Sequence, residues 1–417
     1  MKKFLSCLLV VILLVSLVIS LVACDADEIK KLTYTDDNGN VVKVNVKKTD
    51  DPDKVTAAIM GLANKEVDRS EISNFFLSLN GNLVISGTEG EEKFDYDATA
   101  KAKIGIGAPA IASSDNLASY LAKMRLYALV EANGTVPALM FDDDVETFTE
   151  KTTYNELVGL SFEDSTIYIK LGLSDELSSI LALLDFILPV KVSDYNNKVV
   201  KSELGAFALS GIGSIVGKAI GTRDVLGEIK SAKKGTSYMD IINLLTKEDE
   251  EETTPADSTE TPDDSQTTEE EEEFTFTYSN VKKIVKALKI KIVKTKGSVV
   301  TFTATVDKAG LSTLDFLDED DKEDLESFAG SFNINFTIDA KTMLDINLSV
   351  DASSALKASL QEEYKEKTNL SFSTVKATIS LTGSTKDSIP KFTQEDKDAA
   401  EELDIYGIVT SMLNKSK

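Results

Sequence analysis

The fold is decided by residues 331–351, which read SFNINFTIDAKTMLDINLSVD. Apolar and polar residues alternate in both halves of this stretch. A period of two places all the apolar side chains of a strand on one face of a sheet. The stretch therefore predicts two strands with one apolar and one polar face, and the apolar positions are Phe332, Ile334, Phe336, Ile338, Leu344, Ile346, Leu348 and Val350.

Further strands are predicted on both sides of this stretch. Residues 300–306 and 375–381 alternate in the same way, and residues 166–171 are rich in β-branched and aromatic side chains. Such residues pack well on a pleated, half-buried surface. These segments are therefore expected to extend the same sheet, with one face on the core and one in water.

Asn-Gly pairs give the hairpin signals of the chain. Residues 32–35 and 42–46 alternate on either side of Asp37-Asn38-Gly39-Asn40, which predicts an N-terminal β-hairpin. By the same rule, Asn80-Gly81 and Asn133-Gly134 are predicted to be turns between further strands. The first part of the chain is thus expected to be mostly antiparallel strands.

Helices are predicted where the spacing of apolar residues changes. Asp51 followed by Pro52 is a typical helix start, and a helix is expected from Pro52 to Leu62. A second is predicted over residues 280–288. A third follows a Ser174 cap and ends at Pro189, and its apolar positions are Leu177, Ile180, Leu181, Leu184, Ile187 and Leu188. Helical or irregular apolar segments are expected to continue to about Leu245.

Residues 248–273 form an acidic tract of Glu, Asp, Thr, Ser and Pro, with 14 carboxylates and no basic residue. Because it lacks large apolar side chains, it cannot offset its ordering entropy and is predicted to be disordered. The tract is interpreted as a solvated linker or loop insertion; the alternative is an acidic tail that binds cations or a partner. The net charge of the chain is -25. No nucleic-acid partner is expected, because phosphate contacts need clustered Lys and Arg.

The N-terminus has the pattern of an export signal. Lys2 and Lys3 precede an apolar stretch from Phe4 to Ala23, as in a secretion signal. Leu21-Val22-Ala23-Cys24 resembles a lipobox, in which the signal is cut before a cysteine whose thiol carries diacylglycerol. Cys24 is therefore the predicted lipidation site, and the lipid is expected to hold the protein on the extracytoplasmic face of the cell membrane. The alternative is an uncleaved anchor helix, since about 20 apolar residues cross a bilayer.

Large classes of enzyme chemistry are excluded by composition. The chain has no histidine, and its only cysteines are Cys7 and Cys24, so the mature chain offers no disulfide, no Cys-His or Ser-His pair and no thiolate metal site. The acidic clusters 142–144 and 318–321 lack the glycine and spacing of a calcium loop. We therefore expect no cofactor and no metal site.

Several short motifs match penicillin-binding enzymes without specifying one. The chain contains Ser-Asp-Asn at residues 114–116, but it precedes every Ser-x-x-Lys and no Lys-Thr-Gly exists. Repeated Ser-x-x-Lys matches in one chain show that the pattern arises easily; they include residues 231–234, 354–357 and 373–376. The sequence accordingly predicts that the protein is not an enzyme.

The order of segments from about residue 70 to residue 400 resembles that of the LolA-like and LppX-like lipoprotein carriers. Early strands, a helical middle and a late meander from Ser331 to Asp351 lead to residues 376–381 and Ser388-Ile389-Pro390. The chain departs from that pattern in its greater length and its acidic insertion. The resemblance implies a half-barrel-like sheet with helices over its concave side and a cavity that holds acyl chains or another apolar ligand.

The expected ligand site lies between the late strands and the third predicted helix. Its lining side chains are predicted to be Phe332, Ile334, Phe336, Leu344, Ile346 and Leu348 from the strands, and Leu177, Leu181 and Leu184 from the helix. An ordinary packed core would give the same alternation, so the cavity and the packed core remain alternatives. The function predicted is binding or carriage of an apolar, lipid-like ligand; the alternative is a structural or adhesive surface lipoprotein without a cavity.

Two other segments can each be interpreted in more than one way. Glycines repeat every four residues in residues 213–221, which favours close helix packing; the alternative is an apolar lid or a flap that touches the membrane. Seven lysines fall within residues 282–296. They favour a solvated helix face, with anionic lipid or the acidic tract as alternative partners.

These patterns predict an α+β fold in which a curved, half-barrel-like antiparallel sheet is covered by helices and carries a disordered acidic insertion. The expected division of the chain gives residues 1–23 to the signal peptide and 24–52 to the lipidated N-terminus and hairpin. It continues with 53–246 as the first part of the α+β domain, 247–273 as the acidic linker, and 274–417 as the second part with a C-terminal helix.

Overall fold

The computed structural model describes residues 32–63, 73–107, 122–140, 145, 147–174, 191–204, 277–314, 330–342, 344–404 and 407. The strands are β1 Leu32–Thr35, β2 Val41–Val44, β3 Asn74–Glu89, β4 Glu92–Gly107, β5 Arg125–Pro137, β6 Lys151–Glu163, β7 Thr166–Gly172, β8 Val199–Glu203, β9 Lys291–Lys296, β10 Val299–Asp307, β11 Ser331–Asp339, β12 Ile346–Asp351, β13 Leu370–Ser384 and β14 Glu401–Glu402. The helices are α1 Pro52–Ala63, α2 Tyr278–Ala287, α3 Lys308–Leu311, α4 Ser353–Glu363 and α5 Gln394–Asp398.

Twelve of these strands form one sheet in the order β14-β8-β7-β6-β5-β4-β3-β13-β12-β11-β10-β9. Neighbouring strands are antiparallel, except for the short parallel pair β14 and β8. The predicted antiparallel sheet is confirmed. Strands before and after the acidic tract share it, because β13 pairs with β3 along most of their length.

The N-terminal hairpin and the helix after it form as predicted. Leu32 pairs with Val44, and Gly39 takes the positive φ of +82° that the turn between β1 and β2 requires. The hairpin also holds the start of α2. The carboxylate of Asp37 accepts hydrogen bonds from the Tyr278 and Ser279 backbone N–H groups, and the Tyr278 ring stacks on Tyr34 with 5.5 Å between centroids.

The main core lies between the helices and the apolar face of the late strands. Helix α1 packs against α2, β1, β2 and β9, and α4 packs against β11 and β13. Apolar side chains from all these elements are buried there, among them Val55, Ile284, Ile292, Leu356 and Phe332. The predicted helices at residues 52–62 and 280–288 are therefore confirmed, and so are the late strands. Most of the observed ends of these elements lie within two residues of the predicted ends.

A C-terminal segment, residues 385–400, crosses the opposite face of β4 to β7, and we call it the strap. It buries Ile389 and Phe392 against Tyr127 and Leu129. Glycines in the strands permit this close approach. A Cβ placed on Gly105 would lie 3.0 Å from Ile389 Cγ2.

Two predicted hairpin turns are wrong. Asn80-Gly81 lies in the middle of β3, and Asn133-Gly134 lies inside β5, so neither reverses the chain. Gly134 has φ +141°, and a Cβ on it would lie 2.3 Å from the Asp97 backbone oxygen. The glycine is thus required by the close approach of β4 rather than by a turn.

Gly134→Ala is expected to lower the free energy of unfolding by about 3 kcal/mol, because the new methyl group collides with β4 at a φ that alanine rarely adopts. Gly81→Ala is the matched control, since the nearest atom to its Cβ would be 3.8 Å away. It should change stability by less than about 1 kcal/mol. Urea unfolding of both variants measures the difference, and equal stabilities would contradict the role given to Gly134.

Other elements differ from the sequence prediction. Strand β8 lies within the stretch expected to be helical or irregular. Its five residues are extended because they pair with β7, next to the short edge strand β14. Helix α4 was not predicted, and it places Ser354 and Lys357 of one Ser-x-x-Lys motif on a helix that packs on the sheet. The predicted helix at residues 174–188, the glycine repeat and the acidic tract lie outside the described residues, apart from Ser174 itself.

Candidate functional site

One face of the large sheet carries two uninterrupted apolar rows, which together we call the apolar face. The strand register sets residues side by side from β10 through β11, β12, β13, β3, β4, β5 and β6 to β7. Row one is Val300, Ile338, Ile346, Gly383, Leu77, Ile104, Ala128, Leu160 and Ile169. Row two is Phe302, Phe336, Leu348, Leu381, Leu79, Ala102, Val130, Val158 and Leu171.

The two ends of the apolar face differ in exposure. At the late-strand end, Val300, Ile338 and Leu348 are buried beneath the helices. On β3 to β6, which we call the open end, large aliphatic side chains remain exposed: Leu79 41%, Ile104 49%, Val130 55%, Val158 45% and Leu160 37%. The open end therefore presents an apolar surface that the described elements leave accessible.

Small residues shape the open end. Ala100, Ala102, Ala128 and Ala132 lie around Ile104 and Val130 on β4 and β5. Neither row contains a polar side chain, so contacts there are limited to hydrophobic burial and dispersion. This surface suits a hydrocarbon or an apolar protein surface.

Glu156 borders the open end next to row two. It lies opposite Ala132 in the register, two residues before Val158 on the same face. Its Oε2 accepts a hydrogen bond of 2.9 Å from the Ser174 backbone N–H, whereas its buried Oε1 has no hydrogen bond in the structure. A buried carboxylate oxygen without a donor is costly, and its position places a carboxyl group beside the apolar rows.

The late-strand residues of the predicted site lie at the covered end. Phe332, Ile334, Phe336 and Leu348 are buried in the main core, and Leu344 and Ile346 are half-buried. Ile334 and Phe336 border a space of about 40 Å³ whose other lining residues are Ile59, Leu288, Ile290, Phe302, Thr303 and Ala304. An apolar cavity that accepts benzene measures roughly 150 Å³. This space is therefore too small for an acyl chain.

The helical residues of the predicted site, Leu177, Leu181 and Leu184, lie outside the described residues, as does Cys24. Strand β7 ends at Gly172, two residues before the predicted cap Ser174, and Leu171 on this strand ends row two. In the described part of the chain, no helix is long and apolar enough to cross a membrane. Within the same residues, no group of three or more acidic side chains is placed to hold a metal ion.

Ion pairs fix the strap to the opposite face, and one of their carboxylates, that of Glu163, is buried. The carboxylate of Glu163, at the end of β6, pairs with Lys391 and Lys397 of the strap, and Lys170 Nζ lies 2.7 Å from Asp396 Oδ1. Burial alone would raise the pKa of Glu163, but the hydrogen bonds and charges of the two lysines outweigh it and hold the pKa below its ordinary value. No sequence pattern indicated this cluster, because its two halves, on β6–β7 and on the strap, are more than two hundred residues apart along the chain.

Glu163→Gln is expected to lower the free energy of unfolding by about 2 kcal/mol at pH 7, because both lysines lose their buried partner. A carboxyl with a lowered pKa stabilises the fold above its unfolded pKa, and this contribution is lost as the pH falls through the folded value. The difference between wild type and variant should therefore shrink below about pH 4.5. Urea unfolding across pH 3–7 measures it, with the exposed Glu92→Gln as control; a difference independent of pH would refute the assignment.

No protein-family model matches the chain, and a search of curated proteins finds no match either.

Proposed function

We propose that the protein is a membrane-anchored extracytoplasmic lipoprotein that binds or carries an apolar, lipid-like ligand on the open end of its apolar face. One observation supports the ligand binding: five large aliphatic side chains remain 37–55% exposed on rows whose late-strand end is buried in the core. Each large aliphatic side chain gains roughly 1.5 to 3 kcal/mol when fully buried. A contiguous exposed patch of this kind typically marks a binding surface.

The ligand is best described as a hydrocarbon chain with a neutral head group. The rows supply apolar contacts only, and the Glu156 carboxylate lies at their border. A fatty-acid carboxylate would bring a like charge close to it, whereas a long-chain alcohol or acylglycerol carries no charge to be repelled. The proposal thus favours neutral lipids over free fatty acids.

The curvature of the sheet and a helix at its edge would both contribute to the proposed ligand site. A half-barrel-like curvature of the sheet would give the open end a concave shape. The predicted helix with Leu177, Leu181 and Leu184 follows β7 at the edge of that end, and it would supply a second apolar wall. Both features would increase the ligand area removed from water, on which the affinity depends.

The alternative is a structural or adhesive cell-surface lipoprotein whose apolar face docks another protein. The packed core beside Ile334 and Phe336, with its space of about 40 Å³, favours this alternative over a deep cavity under the late strands. Protein interfaces also concentrate aliphatic and aromatic side chains at their centre. The two functions differ in whether a free lipid binds.

Thermal unfolding with a series of primary alcohols tests the proposal. Tm should rise with chain length from octanol to hexadecanol at equal free concentration, because each added methylene buries more apolar area. Butanol serves as the control for solvent effects. Extraction of the purified protein for mass spectrometry should in parallel recover a neutral lipid. No dependence on chain length and no extractable hydrocarbon would leave the adhesive function as the better supported one.

A further inference from the structure

Five exposed lysines form a cluster that we call the basic edge: Lys47, Lys48, Lys291, Lys294 and Lys296. Two distant segments build it. Thr49 and Ile292 form an antiparallel bridge. The Thr49 nitrogen lies 3.0 Å from the Ile292 oxygen, and the Ile292 nitrogen lies 2.9 Å from the Thr49 oxygen. Residues 47–48 therefore run beside β9, the last strand of the large sheet.

The basic edge has few acidic neighbours in a strongly acidic protein, and the nearest along the chain is Asp50, which follows Thr49 directly. The chain carries a net charge of -25, yet no Asp or Glu occurs in residues 38–49 or 281–306. Nearby lysines are neutralised, since Lys282 pairs with Asp53 and Lys289 with Asp307. Within the described part of the chain, none of the five basic-edge ammonium groups forms an ion pair. Their positive potential is thus directed to solvent.

The basic edge also lies close along the chain to the predicted lipid. Seven residues lie between Cys24 and Leu32, and the eight steps from one residue to the next span at most roughly 29 Å when fully extended. Leu32 pairs with Val44, which is three residues before Lys47. A lipid on Cys24 would therefore keep this end of the molecule near the membrane surface, whatever path residues 25–31 take.

We propose that the basic edge is a membrane-contact surface that rests on anionic lipid head groups and orients the protein on the leaflet. Lysines near an anionic surface are attracted to it, and the attraction is felt within about 10 Å at 0.1 M salt. The net negative charge of the rest of the protein is then held away from the membrane. The orientation rests on the proposed lipid at Cys24, whereas the charge contact does not.

Two competing roles for these lysines have different consequences. Lysine on an edge strand discourages unwanted strand pairing, and in that case no membrane contact follows. Attraction to the acidic tract at residues 248–273 would instead neutralise the basic edge within the chain. Vesicle binding distinguishes the three roles.

The test measures binding of residues 24–417 with Cys24→Ser, so that no lipid contributes, to vesicles of neutral lipid with and without one third phosphatidylserine or phosphatidylglycerol. Residues 1–23 precede the first described element, which begins at Leu32, and are removed with the predicted signal. A charge variant replaces Lys47, Lys48, Lys291 and Lys294 by Gln. The matched control replaces four exposed lysines elsewhere: Lys93, Lys151, Lys191 and Lys376.

The wild-type chain should bind the anionic vesicles and not the neutral ones, and binding should weaken as salt increases. The charge variant should bind at least tenfold more weakly, whereas the control variant should lose less than threefold, although both lose four charges. Equal binding to neutral vesicles, equal loss in the two variants, or no binding at all would overturn the proposal. Binding that appears only after deletion of residues 248–273 would also overturn it, in favour of the acidic tract. Failure here leaves the alcohol series under the proposed function unaffected.

Discussion

Cys24→Ala is expected to abolish incorporation of labelled fatty acid and to leave an uncleaved precursor. In a lipobox, which residues 21–24 resemble, the cysteine thiol is the only acceptor for diacylglycerol. The signal is cut directly before this modified cysteine. The effect should therefore be all-or-none. Metabolic labelling with a palmitate analogue, followed by electrophoresis of the intact chain, measures both consequences at once.

Cys7→Ala provides the matched control for this experiment. Cys7 is the only other cysteine, and it lies inside the apolar stretch of the predicted signal. This variant should be labelled and processed normally. Normal labelling of Cys24→Ala would disprove lipidation at Cys24, and an unlabelled but membrane-bound wild type would support the uncleaved anchor helix.

The late strands could be predicted because their signal is local. Phe332, Ile334 and Phe336 alternate with polar residues, and a period of two is compatible only with a strand that has one buried face. The helix at Pro52 could be predicted for the same kind of reason, since its cap and first-turn proline are adjacent in sequence. Both were found within one residue of the expected bounds.

The Asn-Gly rule failed where a glycine serves a different purpose. At Gly39 the positive φ reverses the chain, whereas at Gly134 the missing Cβ makes room for the Asp97 carbonyl of the neighbouring strand. The dipeptide is the same in both places. Only the partner strand, which is set by pairing across the sheet, distinguishes a turn from a close approach.

The sequence predicted the apolar character of the candidate site but not its position on the sheet. That one sheet face is apolar follows from alternation, but which part of it stays exposed depends on where the helices pack. Ile346 and Leu160 share row one, although Ile346 is half-buried at the late-strand end and Leu160 is exposed at the open end. The strap could not be predicted, because Ile389 and Phe392 are a single pair of large apolar residues around Pro390 and repeat no pattern along the segment.

Val130→Asp is expected to weaken binding of a long-chain alcohol about 100-fold while the protein stays folded. Val130 is the most exposed side chain of the open end and lies between Ala102 and Val158 in row two. A carboxylate at this point keeps its hydration shell, so a hydrocarbon chain laid across it must either strip that water or lose contact with both neighbours. A loss of about 2.7 kcal/mol corresponds to the expected factor.

Two further variants make the result specific to the open end. Val41→Asp introduces the same charge at an even more exposed valine on the hairpin, and it should leave alcohol binding unchanged. Val130→Leu keeps the surface apolar and should bind within about threefold of wild type. Because Val130 is more than half exposed, its substitution by Asp should change the free energy of unfolding by less than about 1 kcal/mol. If Val130→Asp bound alcohol as tightly as Val41→Asp, the ligand could not lie on rows one and two. If instead it lost a protein partner while alcohol binding was never detectable, the same surface would serve adhesion.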